Sequence, residues 1–276
     1  MLLCLCPALF SQAKKSAKET LTIKGSDTMV ILVQRWTEVF SSTMRDKTNV
    51  QFQVTGGGSG TGISSLINGT TDICSSSRPI KSNEVRQIRE KYRSKGVEVR
   101  VARDGIAIYL NEKNPVQNLT IGQVQRIFTG EITNWKELGG TDTRIVLYSR
   151  ENNSGTYEFF KEHALKKQDF AQQTQHMVGT GALVNAIAKD EYAIGFGGIA
   201  YASGVKAAAI AFDEKSPYVL PVESEILSGA YPISRLLYFY LKERPAGTMK
   251  TFVDWVISQK GQAIVTEVGY LPTKKF

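Results

Sequence analysis

The chain has 276 residues, of which 42% are apolar and 22% are charged, a composition typical of a soluble globular protein with one large domain or two of ordinary size. Its formal net charge of +8 suits an anionic partner. However, the basic residues are scattered, and no zinc-finger spacing or aromatic-basic RNA motif is present. We therefore expect a solvated basic surface and no nucleic acid partner.

The first thirteen residues, MLLCLCPALFSQA, form a short apolar run that resembles a secretory signal with cleavage after Ala13. The run is too short to span a bilayer, and a lipid-anchor cysteine at Cys4 or Cys6 is the alternative. We expect residues 1–19 to be signal peptide and mature N-terminal segment, and the protein to be periplasmic or exported to the cell surface. Removing this leader would leave only Cys74, which excludes an internal disulfide and a cysteine metal site.

Strand and helix patterns alternate along the chain, which is typical of an α/β protein. Residues 20–25 are predicted to form a strand, and the segment that follows places Val33, Trp36, Phe40 and Met44 on one helical face. Further strands are predicted at 49–56, 71–77, 97–104, 106–111, 143–150, 192–198 and 208–214, and further helices at 81–96, 121–128, 154–166 and 180–189.

Two long extended runs, residues 97–111 and 231–242, are each broken once, by Gly105 and by Pro232. Because runs of this length can pass from one domain into another, we expect two lobes joined by two crossing segments. A single continuous α/β domain is the alternative. The predicted lobes are residues 20–104 plus 232–276 and residues 105–231.

The glycine-rich stretch at residues 54–62, VTGGGSGTG, fits no nucleotide or hydrolase motif. A P-loop would need a lysine where Ile63 stands, and a nucleophile elbow around Ser59 would need a glycine where Thr61 stands. The two histidines of the chain are in no metal-ligand pattern, so a Ser-His-Asp hydrolase is disfavoured. We expect a loop that holds a ligand without cleaving it.

Such a strand-to-helix turn suits an oxyanion, because the first N–H groups of a helix lack partners and its dipole favours negative charge. A tight turn with a helix-capping serine or threonine is the alternative. Two other junctions carry similar chemistry, so three helix starts could converge on one cleft beyond the carboxyl ends of the strands. These junctions contain Ser26, Asp27 and Thr28 in KGSDTM, and Arg150, Ser154, Gly155 and Thr156 in YSRENNSGTYEFF.

At these residues the sequence resembles the periplasmic phosphate-binding proteins of phosphate ABC transporters, which are class II periplasmic binding proteins. The resemblance implies an α/β fold of two lobes joined by two crossover strands. It also implies that phosphate binds between the lobes and is delivered to a membrane permease, with no cofactor, no metal and no enzymatic activity. We expect a monomer. The matching pieces, in family order, are KGSDTM, TGGGSGTG, SSSRPI, IFTGEITNWKEL, SRENNSGTYEFF and YPISRLLYFYLK.

The resemblance also implies a set of phosphate-binding positions, with one departure. Family members have an acidic residue at the end of the third strand, which accepts the proton of phosphate, whereas we place Arg78 there. Asp27 is the nearest carboxylate for that role; alternatively, Asp27 caps its helix and pairs with Arg78. The positions implied by the resemblance are Thr28, Met29 through its backbone N–H, Ser59, Arg150, Ser154, Gly155 and Thr156. We add Ser26, Asp27, Ser77 and Arg78 to the predicted phosphate site.

Three other functions stay open from the sequence. The same donors would suit another tetrahedral oxyanion, such as sulfate or molybdate. A secreted phosphatase-like enzyme would need a nucleophile with a base or a metal cluster, for which the sequence offers no good candidate. A secreted adhesion or scavenging protein would use the fold without a transporter.

Overall fold

The computed structural model describes residues 19–45 and 48–274. The predicted signal peptide, with Cys4, Cys6 and the cleavage site after Ala13, lies outside the described residues. The strands are β1 (Glu19–Gly25), β2 (Val50–Thr55), β3 (Ile73–Ser76), β4 (Val97–Leu110), β5 (Asn118–Thr120), β6 (Val146–Arg150), β7 (Gln175–Met177), β8 (Ala193–Gly198), β9 (Lys206–Ala207), β10 (Ala209–Ala211) and β11 (Ser234–Leu241).

The helices account for most of the remaining regular structure. They are α1 (Val30–Thr43), α2 (Ser59–Asn68), α3 (Ser82–Tyr92), α4 (Ile121–Thr129), α5 (Gly155–His163), α6 (Thr180–Lys189), α7 (Glu223–Ser228), α8 (Gly247–Val256) and α9 (Gln259–Glu267). Short 3-10 turns cover Asp27–Met29, Trp135–Leu138 and Ile199–Tyr201. Along the described ranges, no helix is long and apolar enough to cross a lipid bilayer.

A mixed sheet runs through the molecule in the order β2-β1-β3-β11-β4-β8-β6-β7, with β9 paired to β4. β1 is parallel to both β2 and β3, and β6 is parallel to both β7 and β8. β11 is antiparallel to β3 and β4, and β4 is antiparallel to β8. The parallel strands β1 and β2 each lead directly into a helix, so both helices begin at the carboxyl end of their sheet region.

β4 joins the two halves of the sheet. Up to Gly105 it pairs with β11, and from Ile106 onward it pairs with β8. The chain crosses a second time beside it, where Ile106 N donates to Ile233 O at 2.8 Å just before β11. The predicted interruption at Gly105 is wrong, because β4 continues through it; a Cβ there would lie 2.6 Å from Ile226 Cδ1, so the glycine makes room for that side chain.

Each half has its own apolar core, and the fold is two-lobed. The core around Trp36 and Phe252 draws its residues from chain segments before residue 103 and after residue 236. The core around Trp135 and Phe196 uses the segment between, with Leu271 added. We call the half around Trp36 the first lobe and the half around Trp135 the second lobe; the residue boundaries expected from the sequence stay a prediction.

Candidate functional site

Buried hydroxyl groups from both lobes meet in one cluster. Thr28 Oγ1 of the first lobe lies 2.8 Å from Thr156 Oγ1 of the second, and each residue is 1% exposed. Ser77 Oγ accepts from Ser26 Oγ at 2.8 Å and lies 3.2 Å from Ser59 Oγ. We call these five residues the hydroxyl cluster.

Gly155 allows the two sides of the cluster to approach so closely. A Cβ at this position would lie 2.3 Å from Ser59 Oγ, 2.8 Å from Ser59 Cβ and 2.8 Å from Ser77 Oγ. Real Cβ atoms do not approach other atoms so closely, so a side chain at Gly155 is incompatible with this arrangement of the lobes.

The glycine-rich loop before α2 forms a second contact between the lobes. Gly60 N donates to Asn153 O at 3.0 Å, and Asn153 Nδ2 donates to Gly57 O at 3.1 Å. Gly58 has φ +89°, and a Cβ there would lie 2.5 Å from Asn153 O. The glycines therefore give Asn153 access to the first turn of α2, whose N-cap residue, Gly58, provides no side-chain cap.

Arg150 lies at the end of β6 with 1% exposure and is almost fully hydrogen-bonded. A guanidinium has five N–H groups. Four of them are bonded within the protein, and one N–H on Nη1 has no bond to the protein residues described. These four bonds run from Nε to Met177 O at 3.2 Å, from Nη1 to Thr180 Oγ1 at 2.8 Å, and from Nη2 to Val178 O at 2.9 Å and Asp27 Oδ2 at 2.6 Å.

Asp27 connects the first lobe to Arg150 of the second. Its Oδ2 forms the ion pair with Arg150, while its Oδ1 accepts from Gly57 N at 2.9 Å. Tyr201 donates its hydroxyl to Asp27 O at 2.8 Å; burial, followed by the charge of Asp27, raises the pKa of Tyr201 to about 12. The tyrosine hydroxyl is therefore a fixed donor at neutral pH.

Ser154 and Met29 are engaged in local backbone structure. Ser154 caps α5, where its Oγ accepts from Thr156 N at 3.2 Å and from Tyr157 N at 3.4 Å. Because the oxygen accepts both bonds, the hydroxyl hydrogen stays available for donation. Met29 N donates to Ser26 O at 3.0 Å, and its side chain packs in the core of the first lobe.

Arg78 does not pair with Asp27, so that alternative from the sequence is wrong. Its Nη1 and Nη2 donate to the two carboxylate oxygens of Glu84 at 2.9 and 2.7 Å, and its Nε lies 3.2 Å from Glu158 Oε2 of the second lobe. After β3 ends, it is the Ser77 side chain that faces the hydroxyl cluster, while the Arg78 side chain points toward α3 and α5. Placing Arg78 at the cluster-facing position was therefore an error of one residue.

Arg235 and Asp104 belong to the site, although the sequence did not indicate them. They lie opposite each other on the two antiparallel crossing strands, and their side chains are 1% and 0% exposed. Arg235 Nη2 donates to Thr156 Oγ1 at 3.0 Å and to Asp104 Oδ2 at 2.8 Å. Burial raises the pKa of Asp104, against the lowering effect of Arg235. Arg235 is the single charge in the apolar run 231–241, which is a signal for that residue; Asp104 stands among other charged residues and carries no such signal.

The site thus combines buried hydroxyl groups, two guanidinium groups paired with carboxylates, and the first turns of three helical segments. Such a set donates hydrogen bonds toward a small shared space and suits a compact oxyanion. Together with two cores and two crossing strands, this arrangement is that of a two-lobed binding protein with its site between the lobes.

Comparisons with known proteins agree with this class. The family model for the PBP superfamily domain matches residues 11–260. The phosphate-binding protein PstS of Pseudomonas aeruginosa is 34% identical, over 96% of this chain and 87% of the relative. PstS of Bacillus subtilis is 33% identical, over 95% of this chain and 83% of the relative. The chain belongs to the PBP superfamily and, within it, to the PstS family of substrate-binding proteins.

A solved structure shows the same fold. A protein from Clostridium perfringens, described as a phosphate ABC transporter substrate-binding protein and crystallised with bound phosphate, superimposes with a TM-score of 0.84. It is 31% identical in sequence, and the match covers 93% of this chain and 100% of that protein.

Proposed function

We propose that this chain binds inorganic phosphate between its two lobes and delivers it to the permease of an ABC transporter for uptake. The observation that carries the proposal is the meeting of Thr28 and Thr156, which brings hydroxyl groups of both lobes together beside Arg150 and Arg235. A ligand at this point contacts both lobes, so its binding favours the closed form over the open one.

We assign the phosphate ligands by the donors that remain available. The hydroxyls of Thr28, Ser59, Ser77, Ser154 and Thr156 donate to the oxygens, together with the Gly155 backbone N–H and the remaining N–H of Arg150. Ser26 supports Ser77 through their hydrogen bond, and Met29 supports the turn that carries Thr28. The Arg78 side chain is left out because its bonds go to Glu84 and to Pro79 O.

Asp27 is the proposed acceptor of the phosphate proton. Each of its carboxylate oxygens accepts one bond from the protein, and each has a second lone pair to offer. At neutral pH phosphate carries at least one proton, whereas sulfate carries none. A fixed carboxylate beside the anion therefore favours phosphate, and a polar mismatch in a dry site can discriminate by roughly 10⁴ or more.

The expected binding energy is consistent with this set of donors. A micromolar dissociation constant corresponds to about 8 kcal/mol, and a hydrogen bond to a charged group contributes roughly 1.5–3 kcal/mol. A handful of such bonds covers the requirement after the cost of association. No metal or cofactor is needed for the affinity.

The location, oligomeric state and lack of catalysis are proposed from the family and from the N-terminal sequence. The family consists of substrate-binding proteins, and we propose that this member is exported, acts as a monomer and has no catalytic activity. The apolar start of the sequence, with an anchoring cysteine as the alternative, supports export. A phosphomonoester turnover assay tests the absence of catalysis.

Titration calorimetry on protein stripped of bound anion tests the proposed ligand. Phosphate should bind with micromolar or tighter affinity, while sulfate, molybdate and phosphate esters should bind far more weakly. Tighter binding of sulfate or molybdate would assign the site to that anion instead, and tighter binding of an ester would indicate a different substrate class.

A further inference from the structure

The Asp104–Arg235 pair reaches the hydroxyl cluster from the crossing strands. Arg235 Nε and Nη2 both donate to Asp104 Oδ2, at 3.0 and 2.8 Å. The other carboxylate oxygen of Asp104 accepts from Ile199 N at 3.1 Å. Arg235 Nη1 donates to Ser77 O at 2.9 Å. Three N–H bonds to two partners, Asp104 and Ser77, therefore fix the guanidinium.

The second N–H of Arg235 Nη2 points toward the two threonines. Arg235 Nη2 lies 3.0 Å from Thr156 Oγ1 and 3.5 Å from Thr28 Oγ1. One arginine of the crossing segment thus contacts the pair of hydroxyls that joins the two lobes. Asp104 neutralises its charge, so the pair adds little net positive charge to the site.

The hydrogen bonds from Arg235 determine where the hydroxyl hydrogens of Thr28 and Thr156 point. A guanidinium can only donate, so each threonine oxygen must accept from it. The hydroxyl hydrogens of Thr28 and Thr156 must then point away from Arg235. In the arrangement seen, one hydroxyl donates to the other at 2.8 Å, which leaves one hydroxyl hydrogen free. An anion placed against the two threonines receives both hydrogens when the bond between the hydroxyls is exchanged for a bond to the anion.

We propose that Arg235, held by Asp104, is a positioning residue that fixes Thr28 and Thr156 as hydrogen-bond donors to the same bound anion. The proposal rests on the proposed function, because it assigns a role within the phosphate site. Arg235 acts through the two hydroxyls, and it ties the first lobe's half of the site to the second lobe's half.

A double-mutant cycle measured by calorimetry with inorganic phosphate tests this role. Arg235→Lys keeps the charge but loses the fork, and Thr156→Val removes one hydroxyl; each should raise the dissociation constant by about tenfold or more. In protein that already carries Thr156→Val, Arg235→Lys should add less than about threefold. Arg100→Met, on the exposed side of β4, is the control and should bind as the wild type does.

The outcomes separate this inference from the proposed function. Wild-type protein that fails to bind phosphate would overturn both. A second outcome would overturn only the positioning role. If the wild type binds phosphate but the fold-changes in dissociation constant caused by Arg235→Lys and Thr156→Val multiply in the double variant, the two residues act independently. Arg235 then does not act through the hydroxyl.

A second variant covers the case in which Arg235→Lys does not fold. Gly198→Ala keeps every charged group, but its Cβ would lie 2.9 and 3.0 Å from the Asp104 carboxylate oxygens and 3.0 Å from Thr28 Cγ2. It would therefore displace both the ion pair and one of the threonines that the pair positions. We expect phosphate binding to weaken by about fivefold or more, again without multiplying with Thr156→Val. Gly122→Ala, whose Cβ has its nearest neighbour at 3.8 Å, is the matched control. Wild-type affinity in Gly198→Ala would refute the proposal.

Discussion

Gly155→Ala should abolish closure of the lobes without harming the fold. The added Cβ would lie 2.3 Å from Ser59 Oγ and 2.8 Å from Ser59 Cβ. Rotation of Ser59 can move its oxygen but not its Cβ, so the lobes must separate by roughly 1 Å to restore ordinary contact. The Thr28–Thr156 bond, 2.8 Å long, would then exceed hydrogen-bonding distance.

The expected loss of affinity follows from the bonds that such a separation breaks. One neutral bond between the lobes, Gly60–Asn153, contributes about 1 kcal/mol, and at least two charge-assisted bonds from one lobe to the anion contribute about 1.5–3 kcal/mol each. The dissociation constant for phosphate should therefore rise at least about a hundredfold.

The thermal stability of Gly155→Ala should not fall together with its phosphate affinity. Gly155 is the first residue of α5, and alanine is favoured over glycine in helices by up to about 1 kcal/mol. In the absence of phosphate, the variant should therefore melt at or slightly above the wild-type temperature. This split between affinity and stability distinguishes blocked closure from misfolding.

Calorimetry, thermal melting and small-angle scattering together test this reasoning. Phosphate should reduce the radius of gyration of the wild type but not of Gly155→Ala. Gly181→Ala, in the first turn of α6, is the control because its Cβ would meet nothing within 4 Å. Wild-type affinity in Gly155→Ala, or a melting temperature that falls together with affinity, would refute the steric argument.

Three further predictions concern the carboxylates around the site. Asp27→Asn removes the charge opposite Arg150, so phosphate binding should weaken at least about tenfold and the preference over sulfate should disappear in calorimetry; a retained preference would place the proton acceptor elsewhere. Glu158→Gln removes the ion pair with Arg78 between the lobes, so stopped-flow should show phosphate leaving about two to ten times faster, and an unchanged rate would argue against this contact as a closing interaction. The pKa of Glu84 lies below its ordinary 4.5 because, although burial opposes the shift, bonds from Arg78 and a backbone amide outweigh it. Its stabilising contribution is therefore present above pH 4.5 and lost as pH falls through the lowered value. The melting temperature of Glu84→Gln should lie below that of wild type at neutral pH, and the difference should shrink as the pH falls below 4.5.

The convergence of the three helix starts could be predicted because each depends on a local pattern. A strand followed by small polar residues and a helix fixes where the chain turns, and parallel strands bring such turns to one edge of the sheet. Thr28, Ser59 and Thr156 follow this rule. Their burial and their contacts across the lobes depend on Gly155. Its importance follows from its close approach to Ser59 and Ser77, which only the folded structure shows.

The error at Arg78 has a simple physical origin. Neighbouring residues in an extended segment face opposite sides, so a shift of one residue exchanges Ser77 for Arg78 at the cluster. Glu84 determines the actual direction of Arg78, because its carboxylate is held at the start of α3 by Lys81 N at 2.7 Å. A half-buried carboxylate fixed by a helix start is available to Arg78, whereas Asp27 is already bound to Arg150.

The Asp104–Arg235 pair could not be assigned from the sequence, because it depends on the register of two strands that are 131 residues apart. That register places a second neutralised guanidinium against the cluster, in addition to the Asp27–Arg150 pair. Since each arginine has a carboxylate partner, the site attracts an anion mainly through the direction of its N–H and O–H groups and little through net charge. Donors fixed in this way lose affinity steeply when the lobes separate, which links recognition of the anion to closure.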